Sequence, residues 1–163
     1  MATRLDAPGT RTAITLDLTI RLLLEQGALS TAQAQQVKKS VNLDDTRHPF
    51  VQLADLGLRA TGANREPLTL ENITRLVAGA CHMDYFRIDP LKINVEAVTA
   101  LVSQAYATRF QFLPVLVNEL EVTIATGEPF ANEWEAEIGR VLKRRITRVL
   151  ANPRDIERYL REF

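Results

Sequence analysis

Cys81-His82-Met83-Asp84 is the one stretch of this 163-residue sequence where several metal-binding or nucleophilic side chains adjoin. Neighbouring residues on a helix point about 100° apart, so these side chains cannot converge on one ion. The other histidine, His48, precedes Pro49 in a predicted turn, which is typical of a surface or capping residue. We therefore expect structural roles for both histidines and for the cysteine.

No nucleotide-binding or hydrolase signature occurs in the chain. The sequence lacks a G-x-x-x-x-G-K-[ST] loop, a G-x-G-x-x-G turn and a G-x-S-x-G elbow. These are the arrangements that cradle phosphates or present a nucleophilic serine. We therefore predict no catalytic residue, no cofactor and no metal site within this chain.

A run of cations crosses the end of one predicted helix and the start of a strand. Its members are Arg140, Lys143, Arg144, Arg145 and Arg148. Positive charges at a helix C-terminus complement the helix dipole, so one interpretation is a solvated face that stabilises the helix. The other interpretation is a binding site for an acidic partner or a phosphate.

The composition is that of an ordinary globular chain, with 46% hydrophobic residues and a formal net charge of +0. This balance argues against a general nucleic-acid binder, which needs a clustered excess of cations. A single cysteine cannot pair within the chain, which favours the cytoplasm. The longest apolar stretches, 22–24 and 113–117, are far shorter than the ~20 residues of a membrane-spanning helix.

The elements that must position these residues fall into two halves. In the first half, apolar residues recur at helical spacing, and Gly27 and Gly57 stand where glycines end helices. Ser30 and Gln33 form a capping-box pattern. Four helices are predicted, at 12–26, 31–41, 49–56 and 70–80.

The second half mixes helical patterns with short runs of β-branched and aromatic residues. Strands are predicted at 85–88, 112–117, 120–125 and 146–150, with a tight hairpin at Asn118-Glu119. Helices are predicted after Asn94, Asn132 and Asn152, the first of them continuous to Ala105.

The predicted fold class is therefore α+β. We expect a flexible lead-in at 1–11, a helical subdomain at 12–83 and a small mixed α/β subdomain at 84–163 with a three- to four-stranded sheet. The last helix reaches the apolar Phe163 without a capping residue, so we also expect the chain to be part of a longer protein.

Four short signatures in the second half occur in an order that resembles a known family. They are FRIDPLKI at 86–93, FLPV at 112–115, VTIATGEPF at 122–130 and ANPRDIERYLREF at 151–163. This pattern resembles the N-terminal domain of type II secretion and type IV pilus assembly ATPases. The resemblance covers roughly residues 84–163, and residues 12–83 match only loosely.

The resemblance implies a non-catalytic adaptor and regulatory domain. Such a domain docks a hexameric motor ATPase to its inner-membrane platform, at the cytoplasmic face of that membrane, and contacts the downstream ATPase domain. ATP and Mg would then be cofactors of the parent protein only. Neither a nucleic-acid partner nor membrane insertion is expected.

Some relatives bind cyclic di-GMP through two motifs of the form R-L-G-x-x-L-x-x-x-G-L, which makes a cyclic di-GMP-sensing module the alternative function. Here the distal glycines remain, but 18–20 (Leu-Thr-Ile) and 48–50 (His-Pro-Phe) replace the two Arg-Leu-Gly starts. We therefore expect the glycines to act as helix stops. The ligand candidates that the resemblance offers are Leu24, Gly27, Leu53 and Gly57.

The first predicted helix carries more leucine and isoleucine than one helix face can bury. Either all of these side chains pack against 84–163 in one continuous core, or some of them stay exposed and bind a partner. Trp134 likewise has two interpretations, as an aromatic residue of the core or as an exposed anchor for a partner. The docking candidates are Leu16, Leu18, Ile20, Leu22 and Trp134.

Overall fold

The computed structural model of the chain describes residues 13–62 and 65–163. The predicted lead-in at 1–11 lies outside the described residues. Within them, the chain forms eight helices and one four-stranded sheet. This arrangement confirms the α+β class.

Four helices come first along the chain. They are α1 (Leu16–Glu25), α2 (Thr31–Ser40), α3 (Pro49–Ala54) and α4 (Leu70–Ala80). The predicted capping box is confirmed at α2, where the Ser30 hydroxyl accepts from the Gln33 amide and the Gln33 side chain accepts from the Ser30 amide. Beyond the end of α1, Gly27 has a φ of 71°, a left-handed conformation that glycine adopts without strain.

Strands and further helices follow. They are β1 (Asp84–Tyr85), a 3-10 turn (Pro90–Lys92), α5 (Val95–Thr99), α6 (Gln104–Phe110), β2 (Phe112–Val117), β3 (Glu121–Thr126), α7 (Glu135–Leu142), β4 (Arg145–Leu150) and α8 (Pro153–Glu162). The sheet order is β1-β4-β3-β2. Strands β2 and β3 form an antiparallel hairpin, whereas β4 runs parallel to both of its neighbours.

Two clusters of buried apolar residues support this architecture. One contains the inner residues of α1 to α4, and the other lies between the sheet and α5 to α8. Leu150, at the carboxyl end of β4, is fully buried in the helical cluster. The two halves therefore meet at the end of β4, and this region is called the joint below.

Two predicted helices differ from those observed. The helix expected to run from Asn94 to Ala105 is two helices, because Ser103 caps α6 by accepting from the Tyr106 amide at 3.1 Å. Asn132 does not cap α7. That helix begins at Glu135, and its N-cap position is occupied by Trp134, whose ring stacks on Phe112 in the core at 4.3 Å between ring centroids.

The strands also differ at their ends. Strand β1 covers two residues instead of 85–88, because its partner β4 ends at Leu150 and α8 begins at Pro153. Strand β3 begins at Glu121 instead of Leu120. The Asn118 side chain accepts from the amides of both residues and so keeps Leu120 in the turn.

Candidate docking and ligand-binding surfaces

Helix α1 holds most of the predicted docking residues, and the structure divides them. Ile20 and Leu22 lie in the helical core, with 1% and 8% of their surface exposed. Leu16 and Leu18 are partly exposed at the edge of that core. Asp17 lies between them and is exposed. The docking prediction is therefore restricted to the outer side of α1.

Trp134 does not serve as an exposed anchor in this structure. Its ring is 1% exposed and stacks on Phe112 at an interplanar angle of 28°. Its indole Nε1 is buried without a hydrogen-bond partner among the described residues. The core interpretation of Trp134 is therefore the correct one, because the tryptophan fills the space between α7 and the sheet.

The segment that follows the second glycine turn contacts the first glycine turn. The Thr61 hydroxyl donates to the Gly27 carbonyl at 3.0 Å, and the Thr61 amide donates to the Ala28 carbonyl at 2.9 Å. Gly57 has a φ of 66°, which fits the predicted helix stop. Leu53 is fully buried, whereas Leu24 is partly exposed. Of the two leucine candidates, only Leu24 therefore has a side chain that a ligand could contact.

His48 connects the helical half to the sheet. Its Nδ1 accepts from the Phe50 amide at 3.1 Å, so it caps α3 as predicted. Its Nε2 lies 2.7 Å from the Gly127 carbonyl oxygen. A carbonyl can only accept, so Nε2 carries the proton and the ring is neutral. The sequence did not reveal this second contact, because 79 positions separate the two residues.

Glu128 adds a further link at the same place. Its Oε1 accepts from the Ile14 amide at 2.8 Å, and its Oε2 lies 3.4 Å from His48 Nε2. A cavity of about 390 Å³ lies beside these groups, and Arg47, Gln111 and Glu157 are among its lining residues. Burial lowers the pKa of His48 to about 4, while the bond to Gly127 opposes that shift.

Glu71 forms a second polar link across the joint. It lies in the first turn of α4 and accepts from the Tyr85 hydroxyl and, at 2.7 Å, from the side chain of Asn152. Asn152 caps α8. Burial, followed by the nearby Glu71 charge, raises the pKa of Asp155 in the first turn of α8.

The residues from Cys81 to Asp84 do not converge. Cys81 caps the end of α4, His82 adopts a φ of 56°, and Asp84 begins β1. Burial, with a smaller effect from Glu25, raises the pKa of the Cys81 thiol, so the thiol stays protonated. Across residues 13–62 and 65–163, no group of three potential ligands could hold a metal ion. Nor is any helix of these ranges long and apolar enough to span a bilayer.

Comparisons with known proteins agree with the second-half signatures. The MshEN domain family matches residues 81–163. The type IV pilus assembly ATPase TfpB of Acinetobacter baylyi is 30% identical over 117 residues, which are 71% of this chain. The aligned region is 20% of the length of that relative.

Two solved structures share the fold. A structure of MshE with cdg superposes with a TM-score of 0.57 at 16% identity, covering 89% of this chain and 97% of the other. The N-terminal domain of XpsE superposes with a TM-score of 0.53 at 11% identity, covering 93% and 98%. The likenesses to solved structures show the fold, and the family match together with the 30% identical relative shows that the chain belongs to the MshEN domain family, as an N-terminal domain of the type II secretion and type IV pilus assembly ATPases.

Proposed function

We propose that this domain is a non-catalytic adaptor that docks a motor ATPase to its inner-membrane platform through the outer side of α1. The observation that carries the proposal is the position of Leu16 and Leu18. Both leucines remain partly exposed on a helix whose opposite side is fixed in the core. Exposed aliphatic residues beside charged ones are typical of protein interfaces with a polar rim.

The rim of this surface is formed by exposed charged residues of the same helix. Asp17 and Arg21 are exposed on either side of Leu18 in the sequence. With a formal net charge of +0, the overall charge of the chain supplies no long-range attraction to a partner at this surface. Its specificity must then come from local contacts such as these.

The sequence motifs and the environments of two reactive side chains in the described part of the chain support the adaptor role. The sequence has no phosphate-binding loop, the Cys81 thiol is protonated, and both ring nitrogens of His48 are hydrogen-bonded. ATP turnover belongs to the parent protein in this proposal. The purified chain should therefore neither hydrolyse ATP nor bind it with micromolar affinity.

Binding of Leu18→Glu to the cytoplasmic part of the platform protein tests the docking proposal. We expect binding to be lost while the melting temperature falls only slightly, because Leu18 lies at the edge of the core. Arg21→Glu changes the rim without touching the core and should weaken binding as well. Leu91→Glu is the matched control, because Leu91 is 94% exposed in the 3-10 turn Pro90–Lys92, outside the helical half. Full binding by both α1 variants would refute the proposal.

Sensing of cyclic di-GMP is the second candidate function, supported by the contact of Thr61 with the Gly27 turn and by the fold shared with MshE. The replaced motif starts argue against it, because Ile20 and Phe50 are buried and His48 is engaged at the joint. We expect no thermal shift with cyclic di-GMP, since stabilisation grows only as RT ln(1 + [L]/Kd). A shift of several degrees at low micromolar ligand would favour the sensor instead.

A further inference from the structure

One end of the sheet collects cations and exposed aliphatic side chains that the proposed docking surface does not use. Strands β3 and β4 both begin there, with Glu121 opposite Arg145 in the register. The Arg145 amide donates to the Leu120 carbonyl at 2.9 Å, which ties the hairpin turn to the loop after α7. The Arg144 amide donates back to Gly139 in α7 at 3.3 Å.

These features form a surface, the basic tip. It consists of Leu120, Arg140, Val141, Lys143 and Arg144. Leu120 is 80% exposed and Val141 is 66% exposed. They are among the most exposed large aliphatic residues in the described part of the chain.

The cations of the basic tip form no ion pair with any residue that the structure describes. No carboxylate of the described residues lies within ion-pair distance of Arg140, Lys143 or Arg144, whereas neighbouring Arg145 pairs with Glu121. The dipole of α7 accounts for a preference for positive charge at its end, but a dipole does not require three cations or exposed leucine and valine beside them. Glu119, in the hairpin turn at the same end of the sheet, is an exposed acidic residue.

We propose that the basic tip binds the surface of an anionic phospholipid bilayer. Lysine and arginine would contact lipid phosphates, while Leu120 and Val141 would enter the headgroup region. Charge complementarity selects an anionic partner. Leu120 and Val141 lie singly on a hairpin turn and a helix end among mainly positive charges, whereas Leu18 lies between charges of both signs, and the cationic surroundings of the tip favour an anionic bilayer.

The position of the basic tip fits this role. It lies where β4 begins, and β4 ends at the joint, where Leu150 enters the helical cluster. A strand of this length separates its two ends by roughly 17 Å. The bilayer contact would therefore leave the helical half free for another partner, and the proposal stands independently of the docking function.

Vesicle sedimentation with the 163-residue chain tests this proposal. We expect binding to phosphatidylcholine vesicles containing one-third phosphatidylglycerol to exceed binding to pure phosphatidylcholine by at least about tenfold. It should fall sharply at about 0.5 M NaCl, where the Debye length is roughly 4 Å. Equal binding to both vesicle types, or no binding to the anionic ones, would overturn the proposal.

Variants separate the contributions of charge and apolar contact. The double change Arg140→Glu and Lys143→Glu should abolish vesicle binding, and Leu120→Ser should weaken it several-fold. The matched control, Lys38→Glu with Lys39→Glu, reverses exposed charges at the end of α2 and should bind nearly as the wild type does. An equal loss in the control would mean non-specific attraction and would refute the assignment.

Two competitors distinguish other anionic ligands. Millimolar glycerol 3-phosphate should not displace the chain from vesicles, and displacement would indicate a site for a free phosphate instead. Polyglutamate binding that equals vesicle binding and is unaffected by Leu120→Ser would indicate an acidic protein instead. Melting temperatures of all variants confirm that they are folded.

Discussion

The Nε2 hydrogen of His48 is donated to the carbonyl oxygen of Gly127 across 2.7 Å, joining the N-terminus of α3 to the loop after β3. The same ring caps α3 through Nδ1. One neutral imidazole therefore fixes the start of a helix and the position of that helix relative to the sheet. The T-shaped contact with Phe50, at 4.4 Å between ring centroids, holds the ring in this orientation.

Removing this imidazole should loosen the joint. We expect His48→Ala to lower the free energy of unfolding by about 1–3 kcal/mol, because it removes a helix cap and leaves a carbonyl without its partner. Denaturant unfolding measures this change. His82→Asn is the matched control, since asparagine tolerates the left-handed conformation of exposed His82, and it should cost little. Equal losses in the two variants would show that the contact with Gly127 contributes nothing.

Acidification should act on the same residue. The pKa of His48 is about 4 in the folded state and about 6.5 when unfolded, so the unfolded chain binds the extra proton between these values. The contribution to stability is therefore complete above pH 6.5 and is lost as the pH falls toward 4. The Glu128 carboxylate, 3.4 Å away, favours the charged ring and limits the loss.

We expect His48 to lose about 1–2 kcal/mol of its contribution by pH 5. Denaturant unfolding of the wild type and of His48→Gln, at pH 7 and at pH 5, measures it as a difference. Glutamine does not titrate, so the gap between the two proteins should shrink on acidification. A gap that stays constant would contradict this prediction.

Gly127 is required by the close approach of α8. A Cβ atom at this position would lie 2.8 Å from Pro153 Cβ and 3.1 Å from Pro153 Cα. Because proline is rigid, relief requires a backbone shift, and Gly127→Ala should cost about 1–3 kcal/mol of unfolding free energy.

Gly79→Ala is the matched control for this substitution. Gly79 lies in α4, and an added Cβ would meet nothing closer than Gln26 Oε1 at 3.8 Å. Because alanine favours helix, this variant should gain up to about 1 kcal/mol. Opposite signs in thermal melts would support the steric explanation, and two losses of equal size would not.

The contrast between caps and joint shows what local sequence can predict. The capping boxes and glycine stops depend on residues a few positions apart, and Ser30, Gln33 and Gly27 behaved as the sequence indicated. One predicted cap, at Asn132, is not observed, and the reason lies elsewhere in the fold. Trp134 displaced the cap predicted at Asn132, because its burial against Phe112 fixes where α7 begins.

The joint was beyond prediction for a different reason. His48 and Gly127, like Glu71 and Asn152, are far apart in the sequence and carry no shared spacing signal. These contacts form only when the two halves pack together, with Leu150 at the end of β4 buried in the helical core. The prediction of docking residues on α1 was limited for the same reason. The sequence shows an excess of apolar residues on this helix. It does not show that Ile20 and Leu22 are buried while Leu16 and Leu18 lie at the edge of the core.

The second link across the joint offers an electrostatic test. Replacing Glu71 with glutamine removes a negative charge from α4 but keeps an oxygen to accept from Asn152 and an amide to donate to the Tyr85 hydroxyl oxygen. The fold should therefore be retained. We expect the pKa of Asp155 to fall in Glu71→Gln yet stay above its ordinary value, because burial is the larger cause of its shift.

Carboxyl NMR titration of Asp155 measures this change directly, with Glu66→Gln as the control, since Glu66 pairs with Arg75 at 2.9 Å and does not act on Asp155. A raised carboxyl pKa means that the folded state holds its proton longer, so its contribution to stability is lost as the pH rises through that pKa. In Glu71→Gln this loss should be smaller. An unchanged Asp155 pKa would mean that the charge on α4 is screened from α8, and the two helices would then be joined by hydrogen bonds alone.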